Sequence, residues 1–220
     1  VNTDAPWLSL DGWRKGQSPI DLASLAHDAC YVGIDLASKL DLCALVAVFP
    51  PTVGRAQWVA LPWVWTPADT LVERTRRDRA PYDVWVQQGH LLTSPGTSIN
   101  HDLLRPVLRE IRDQFELVAI GFDPWHAGPL ITDLRDEDGF DAQRLIEVPQ
   151  TYPGMSVGAL KLEGLVIAGE FNAGGSPLMA WCAANAVVQR DGKDNIYPVK
   201  KKSRGRIDPI QAAVIAVNLA

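Results

Sequence analysis

The chain has 220 residues, of which 47% are hydrophobic and 21% charged, and its formal net charge is -5. This composition excludes an intrinsically disordered chain, which would combine few apolar residues with a high net charge. It also excludes a membrane-spanning helix, because the longest apolar stretches, 42–49 and 210–220, fall well short of the roughly 18 residues that a span needs. A chain of this length buries roughly 70% of its unfolded surface on folding, so it needs neither disulfides nor a structural metal to hold a core.

The first 28 residues have no steady hydrophobic period, and we expect residues 1–28 to be an interdomain linker or arm that packs on something else. They lack the basic and apolar regions of a signal peptide, and the missing initiator Met indicates a chain processed or excised from something longer. The three cysteines have no paired spacing: Cys30, Cys43 and Cys182. We therefore expect reduced, buried thiols in a cytosolic protein.

Three apolar runs follow the arm: 30–36, 41–49 and 57–65. Their short connections predict an antiparallel meander. The first two runs are apolar on both faces, which is typical of central strands in a covered sheet.

After residue 66 the pattern changes to helices alternating with strands. We predict a helix at 67–79, a loop or hairpin at 80–100, a helix at 102–115, a strand at 117–123, a helix ending near 138 and a strand at 144–148. Further on we predict two helices capped by Ser156 and Ser176, a hairpin around Asp191-Gly192 and a last helix at 208–219. The alternation favours βαβ units, so the predicted fold class is an α/β mixed sheet, antiparallel first and parallel later, with helices on both faces.

Three acids occupy comparable places. Asp35 and Asp123 each follow an apolar strand, and Asp208 opens the last helix. If the two strands are neighbours, three carboxylates converge at one end of the sheet, and a divalent cation would relieve their repulsion. Taken singly, each acid is better explained as a turn or helix cap, and it is the set of three that makes a functional explanation equally good. Trp125, next to this region, is expected to lie in the core.

Asp41 begins the second strand across a short turn from Asp35. Three interpretations stay open for it: a fourth metal ligand, an acid that supports the ligands without touching the metal, or a solvated turn residue.

A basic stretch lies directly before Asp208 and contains five cations: Lys200, Lys201, Lys202, Arg204 and Arg206. Such a run is often only a solvated loop, but beside a metal site it would attract a phosphate backbone without reading its sequence. We expect it to contact nucleic acid. The sequence leaves open which of its three lysines, if any, reaches the cleavage site.

Several motifs, taken in order, resemble the C-terminal nuclease domain of the large terminase subunit of tailed bacteriophages. They are Gly33-Ile-Asp-Leu36, Gly121-Phe-Asp-Pro-Trp125, Trp181-Cys-Ala-Ala-Asn185, Lys200-Lys-Lys-Ser203 and Arg206-Ile-Asp-Pro-Ile210. Each is weak alone, but the ordered set is fairly specific and covers nearly all of residues 29–220. One departure is Pro209, where the family pattern has Gly after the acid.

The resemblance implies an RNase H-like fold over residues 29–220 and a metal-dependent endonuclease that cuts concatemeric double-stranded viral DNA during genome packaging. Its metal-binding acids fall on Asp35, Asp123 and Asp208, and Asp41 matches a further acid of some members. Asp35 would bridge two ions, Mg²⁺ or Mn²⁺, and the other two acids would each complete one site. The implied partners are double-stranded DNA, an ATPase domain of the same chain, the portal and the small terminase subunit. The resemblance implies no association with a membrane and a location in the cytoplasm of the infected host.

Two alternatives stay open. One is another RNase H-like nuclease of the resolvase or transposase type. The other is a catalytically idle module that docks on DNA or on the portal, in which the acids merely cap turns.

Overall fold

The computed structural model describes residues 6–37, 41–203 and 205–220, with the side chain of His126 left out. The helices in these ranges are α1 Leu10–Gly16, α2 Leu71–Asp78, α3 Tyr82–Gln87, α4 Leu104–Gln114, α5 Pro124–Asp136, α6 Tyr152–Ala168, α7 Pro177–Asn185 and α8 Asp208–Leu219. The strands are β1 Ala29–Asp35, β2 Cys43–Phe49, β3 Trp58–Pro67, β4 Leu92–Ser94, β5 Glu116–Phe122, β6 Leu145–Glu147, β7 Phe171–Asn172, β8 Val188–Arg190 and β9 Ile196–Pro198. None of the helices in these ranges is long and apolar enough to cross a bilayer.

The main sheet has seven strands in the order β4-β3-β2-β1-β5-β6, with β7 also paired to β3. Strands β1, β2 and β3 form the predicted antiparallel meander, and β5 and β6 extend it in parallel from β1. Strands β8 and β9 form the predicted separate hairpin. The α/β mixed sheet predicted from the sequence is thereby confirmed.

Two local predictions are wrong. Residues 80–100 were expected to be a loop or hairpin, but they contain α3 and the edge strand β4, both too short for a periodic signal. Ser156 was expected to cap a helix, but Thr151 caps α6 and accepts a hydrogen bond from Gly154 N at 3.4 Å. Ser156 lies inside α6, where its buried hydroxyl accepts a hydrogen bond from Ile196 N at 3.1 Å and ties the hairpin to the helix. The cap at Ser176 is confirmed, since its hydroxyl accepts from Met179 N.

The sheet is covered on both faces, and alternate side chains of each strand enter different cores. In β2, Ala44, Val46 and Val48 face the core that also holds α6, α7 and α8. The residues between them, Leu45 and Ala47, face the core that also holds α4 and α5. This two-sided burial explains why β2 is apolar at every position.

Helix α8 lies very close to the sheet because small residues face it. Gly33 of β1 and Gly121 of β5 are paired in register, and both point at α8. A Cβ placed on Gly33 would lie 1.9 Å from the carbonyl oxygen of Ala212, so only glycine permits this approach. The position of α8 along the sheet, and hence that of Asp208 at its first turn, depends on this groove.

The described part of the N-terminal segment packs on the sheet. Trp7, Leu8 and Trp13 are buried in the same core as α6, and Gly12 of α1 approaches the backbone of α6. All three cysteines are buried, as expected, and none of them is paired in a disulfide.

Candidate active site at the end of strand β1

Two of the three predicted acids meet at the end of β1. Because side chains alternate along a strand, Asp35 faces the same side as Gly33, the side covered by α8. Asp208 begins α8 and therefore lies beside it. Asp35 is 2% exposed and Asp208 is fully buried, and Leu42 N donates a long hydrogen bond to Asp208 Oδ2 at 3.4 Å.

Lys200 lies between these two carboxylates. Its Nζ is 2.9 Å from Asp35 Oδ2 and 2.6 Å from Asp208 Oδ1. Both oxygens are buried, and neither accepts a hydrogen bond of normal geometry from the described residues. The ion pair with one ammonium group is therefore the interaction that compensates their burial. The structure thus identifies Lys200 as the lysine of the basic stretch that reaches the acids.

Two glutamines complete this cluster, and sequence reasoning missed both. Gln150 Nε2 donates to Asp35 Oδ1 at 2.9 Å, and Gln211 Nε2 donates to Gln150 Oε1 at 3.3 Å. A signal for Gln150 was present, because it follows β6, and the carboxyl ends of β1, β5 and β6 meet at one edge of the sheet. Gln211 lies three residues after Asp208, on the same helical face.

The electrostatics of the cluster follow from burial. Burial raises the pKa of Asp35 to about 7; Lys200 opposes this rise and Asp208 adds to it. Burial also raises the pKa of Asp208, again against the effect of Lys200. Burial alone would lower the pKa of Lys200, but the attraction of the two carboxylates prevails and raises it. When both carboxylates are ionised, the single ammonium group leaves this buried site one positive charge short.

Asp123 occupies the expected place in the fold. It follows β5 directly, one position beyond the pair Ile34–Phe122, so its backbone lies across from Asp35. Its carboxylate caps α5, accepting from Trp125 N at 3.1 Å. Within the described ranges, no three His, Cys, Asp or Glu side chains are grouped closely enough to hold one metal ion. A shared metal site of Asp35, Asp123 and Asp208 therefore stays a prediction.

Trp125 is not a core residue, contrary to the sequence prediction. Its side chain is 85% exposed at the first turn of α5, two positions after Asp123. The apolar side of α5 is supplied by later residues, Ala127, Leu130 and Leu134, so the indole is left in solvent.

Asp41 is engaged by other protein groups. Its carboxylate pairs with the guanidinium of Arg206, and its carbonyl accepts from Arg74 Nη2 at 2.9 Å. Arg206 Nε also lies 3.2 Å from Asp78 Oδ2, an oxygen that accepts from Tyr82 Oη as well. This network argues against a solvated turn residue, and both other interpretations of Asp41, a metal ligand or an acid that supports the ligands, stay predictions.

The described residues of the basic stretch point in two directions, and their contact with DNA stays a prediction. Lys200 and Arg206 point inward to acids because each lies next to a buried carboxylate, whereas Lys201 and Lys202 are exposed. Arg204 lies outside the described residues. Beside Asp208 the stretch borders a cavity of about 190 Å³, lined among others by Asp41, Lys201 and Arg206.

The donor set fits a hard divalent cation. Two buried carboxylate oxygens, Asp35 Oδ2 and Asp208 Oδ1, converge on one point, where the ammonium group of Lys200 lies. Carboxylate oxygens are the ligands that Mg²⁺ and Mn²⁺ prefer in proteins.

The mixed sheet with a carboxylate pair at the end of its central strand has the RNase H-like fold of terminase nuclease domains. The family model "Terminase large subunit, endonuclease domain" matches residues 2–220. The terminase large subunit of Enterobacteria phage HK97 is 36% identical over 221 residues, which are 100% of this chain and 42% of that protein. The chain belongs to the family of terminase large-subunit endonuclease domains.

Other relatives agree with this assignment. Protein YmfN of Escherichia coli K12 is 28% identical over 97% of this chain and 48% of its own length, so the chain spans less than half of either curated relative. The crystal structure of the HK97 large terminase superimposes with a TM-score of 0.87 at 36% identity, covering 98% of this chain and 44% of that one. The large terminase nuclease of thermophilic phage G20c shares the fold at 12% identity, with a TM-score of 0.58 and 97% of both chains covered.

Proposed function

We propose that this chain is a metal-dependent endonuclease domain that cleaves double-stranded viral DNA concatemers during genome packaging. The observation that carries the proposal is the convergence of Asp35 and Asp208, two buried carboxylates that share the Lys200 ammonium group as their partner, in a chain of the terminase endonuclease family. The domain would act in the host cytoplasm as part of a longer protein that includes an ATPase domain. The portal and the small terminase subunit are the further partners proposed for that protein.

Asp35, Asp123 and Asp208 are the residues proposed to hold two divalent cations, Mg²⁺ or Mn²⁺, with Asp35 shared between them. When bound, such ions supply an activated water and stabilise the leaving oxygen of a phosphodiester. The G20c nuclease has also been solved with bound magnesium, which supports the choice of cation.

The protein groups around the acids have separable tasks. Gln150 holds Oδ1 of Asp35 and leaves Oδ2 directed at the shared point. The groove at Gly33 fixes the start of α8, and with it the carboxylate of Asp208. The exposed Lys201 and Lys202 provide positive charge for the phosphate backbone, as sequence-independent binding requires.

The direct test is plasmid digestion with Mn²⁺ or Mg²⁺ by wild type, Asp35→Asn and Asp208→Asn. We expect either substitution to reduce cleavage at least a hundredfold, because each removes one charged ligand while keeping the side-chain shape. Asp136→Asn is the matched control: it lies at the far end of α5, about 18 Å along the helix from its start, and is exposed. Undiminished cutting by both site variants would refute the assignment.

The same preparations discriminate the remaining alternatives. Preferential cutting of branched junctions or RNA hybrids over plain duplex would favour a nuclease of the resolvase type. No cutting, together with no thermal stabilisation by Mn²⁺, would favour an idle docking module, in which the acids serve only the local structure.

A further inference from the structure

Lys200 differs from its neighbours in the basic stretch. It opens a 3₁₀ turn, Lys200–Lys202, and its side chain is 28% exposed, whereas Lys201 and Lys202 are exposed to solvent. Its ammonium group contacts one oxygen of each buried acid, at 2.9 and 2.6 Å. These oxygens are the two that the described residues leave without a hydrogen bond.

We propose that Lys200 is a positioning residue whose ammonium group occupies the place of a divalent cation between Asp35 and Asp208, and which that cation displaces. This inference rests on the proposed metal site. Without metal, the lysine keeps the two carboxylates together; with metal, it leaves.

Charge and distance both require the exchange. Two ionised carboxylates at one buried point repel each other and need a positive partner. A metal ion coordinating the same oxygens at about 2.0–2.1 Å would lie within contact distance of an ammonium group 2.6 Å from Asp208 Oδ1. Two cations cannot share that point in a buried site, so their binding is mutually exclusive.

Lys200 is also the cation in this cluster that is free to leave. Arg206 is held by two acids, Asp41 and Asp78, through a planar group that needs a fixed geometry. Lys200 has a flexible stem, and the cavity of about 190 Å³ that it lines opens beside Asp208. Displacement would place its charge with those of Lys201 and Lys202, on the side proposed to face DNA.

The test compares Lys200→Met with wild type by thermal melting in EDTA and by Mn²⁺ titration, in which electron paramagnetic resonance measures the free ion. The Met side chain has similar length and no charge. We expect the variant to melt at a lower temperature in EDTA, because two acids lose their counterion. We expect it to bind Mn²⁺ about tenfold more tightly or better, because the competing cation is gone. Its stabilisation by saturating Mn²⁺ should therefore exceed that of wild type.

Lys193→Met is the matched control because it is the same substitution at a lysine that does not contact the two acids. Lys193 is exposed in the loop of the β8–β9 hairpin. Its melting and Mn²⁺ affinity should equal those of wild type. If Lys200→Met does not fold in EDTA, Lys200→Gln provides the comparison, because its amide can donate to one carboxylate. A merely structural lysine would lower stability without raising metal affinity.

The outcomes separate the two proposals. If wild type binds no Mn²⁺, the proposed metal site fails, and the displacement proposal with it. If wild type binds Mn²⁺ and the Lys200 variants bind it equally or more weakly, the displacement proposal alone is overturned. Tighter binding by the variants, with the control unchanged, supports it.

Discussion

Replacing Gly33 by Ala should separate α8 from the sheet and thereby disturb the candidate site. The added Cβ would lie 1.9 Å from the carbonyl oxygen of Ala212 and 2.7 Å from the amide nitrogen of Ala216. Contacts of a Cβ below 3.0 Å are essentially never observed, and both clashing atoms belong to the helix backbone. The helix must therefore retreat by roughly 1 Å, and such overpacking costs typically 1–3 kcal/mol. We expect a loss near the upper end, about 3 kcal/mol, because α8 is buried along most of its length.

The measurement is urea denaturation of both proteins followed by circular dichroism, with the free energy of unfolding taken by linear extrapolation. The matched control is Gly164→Ala in α6, where an added Cβ has nothing within 4 Å. Alanine is the better helix former there, so the control should gain about 0.5–1 kcal/mol. The same substitution of Gly by Ala should thus lower the free energy of unfolding at position 33 and raise it at position 164.

A free energy of unfolding of Gly33→Ala within about 0.5 kcal/mol of the wild-type value would refute this prediction, because that is the usual range for substitutions away from the core. In that case α8 would not rest on Gly33. A parallel readout is Mn²⁺ affinity, which should fall in this variant because Asp208 moves away from Asp35 with the helix.

Three further predictions concern single side chains. Because the pKa of Asp35 is raised to about 7, the stability that this carboxyl contributes is full below about pH 4 and is lost as the pH rises towards 7. The free energies of unfolding of wild type and Asp35→Asn are therefore compared in urea melts in EDTA between pH 4 and 8. The wild-type value should fall by a few kcal/mol relative to that of the variant over this range, and a difference that stays constant with pH would contradict the prediction. Trp125→Ala should leave the free energy of unfolding in urea melts within about 0.5 kcal/mol of wild type, because the indole is 85% exposed, and a larger loss would show that this side chain packs on the protein. Arg206→Gln should lower the free energy of unfolding in urea melts by about 2 kcal/mol, because two acids lose their partner. Arg14→Gln is the control: it breaks an exposed ion pair and should lower this free energy by less than about 0.5 kcal/mol.

The strands that build the site were predictable because their signal is local. An apolar run such as 43–49 has no polar face to place in solvent, so a central position was the expected outcome. Short elements were not predictable on the same basis. Six residues, as in α3, give less than two helical turns, and tertiary packing of Tyr82 and Trp85 decides their conformation.

The sequence allowed the two acids of the candidate site to be predicted, but not the groups that surround them. Asp35 and Asp208 stand at strand and helix ends, where sequence patterns are informative. The inward direction of Lys200 depends on two acids that are distant in the sequence, and a charge run alone cannot show it. The exposure of Trp125 was not predictable either, because it depends on which face of α5 packs on the sheet.

The polar contacts described around Asp35 and Asp208 join distant parts of the chain. Gln150 and Asp35 are 115 positions apart, and Leu42 and Asp208 are 166 apart. Such contacts form late, since the entropy of closing long loops must be overcome before they contribute. An incompletely folded or proteolytically shortened chain therefore carries no partial version of the carboxylate pair. The cation binding proposed for this pair would therefore appear only with the finished fold.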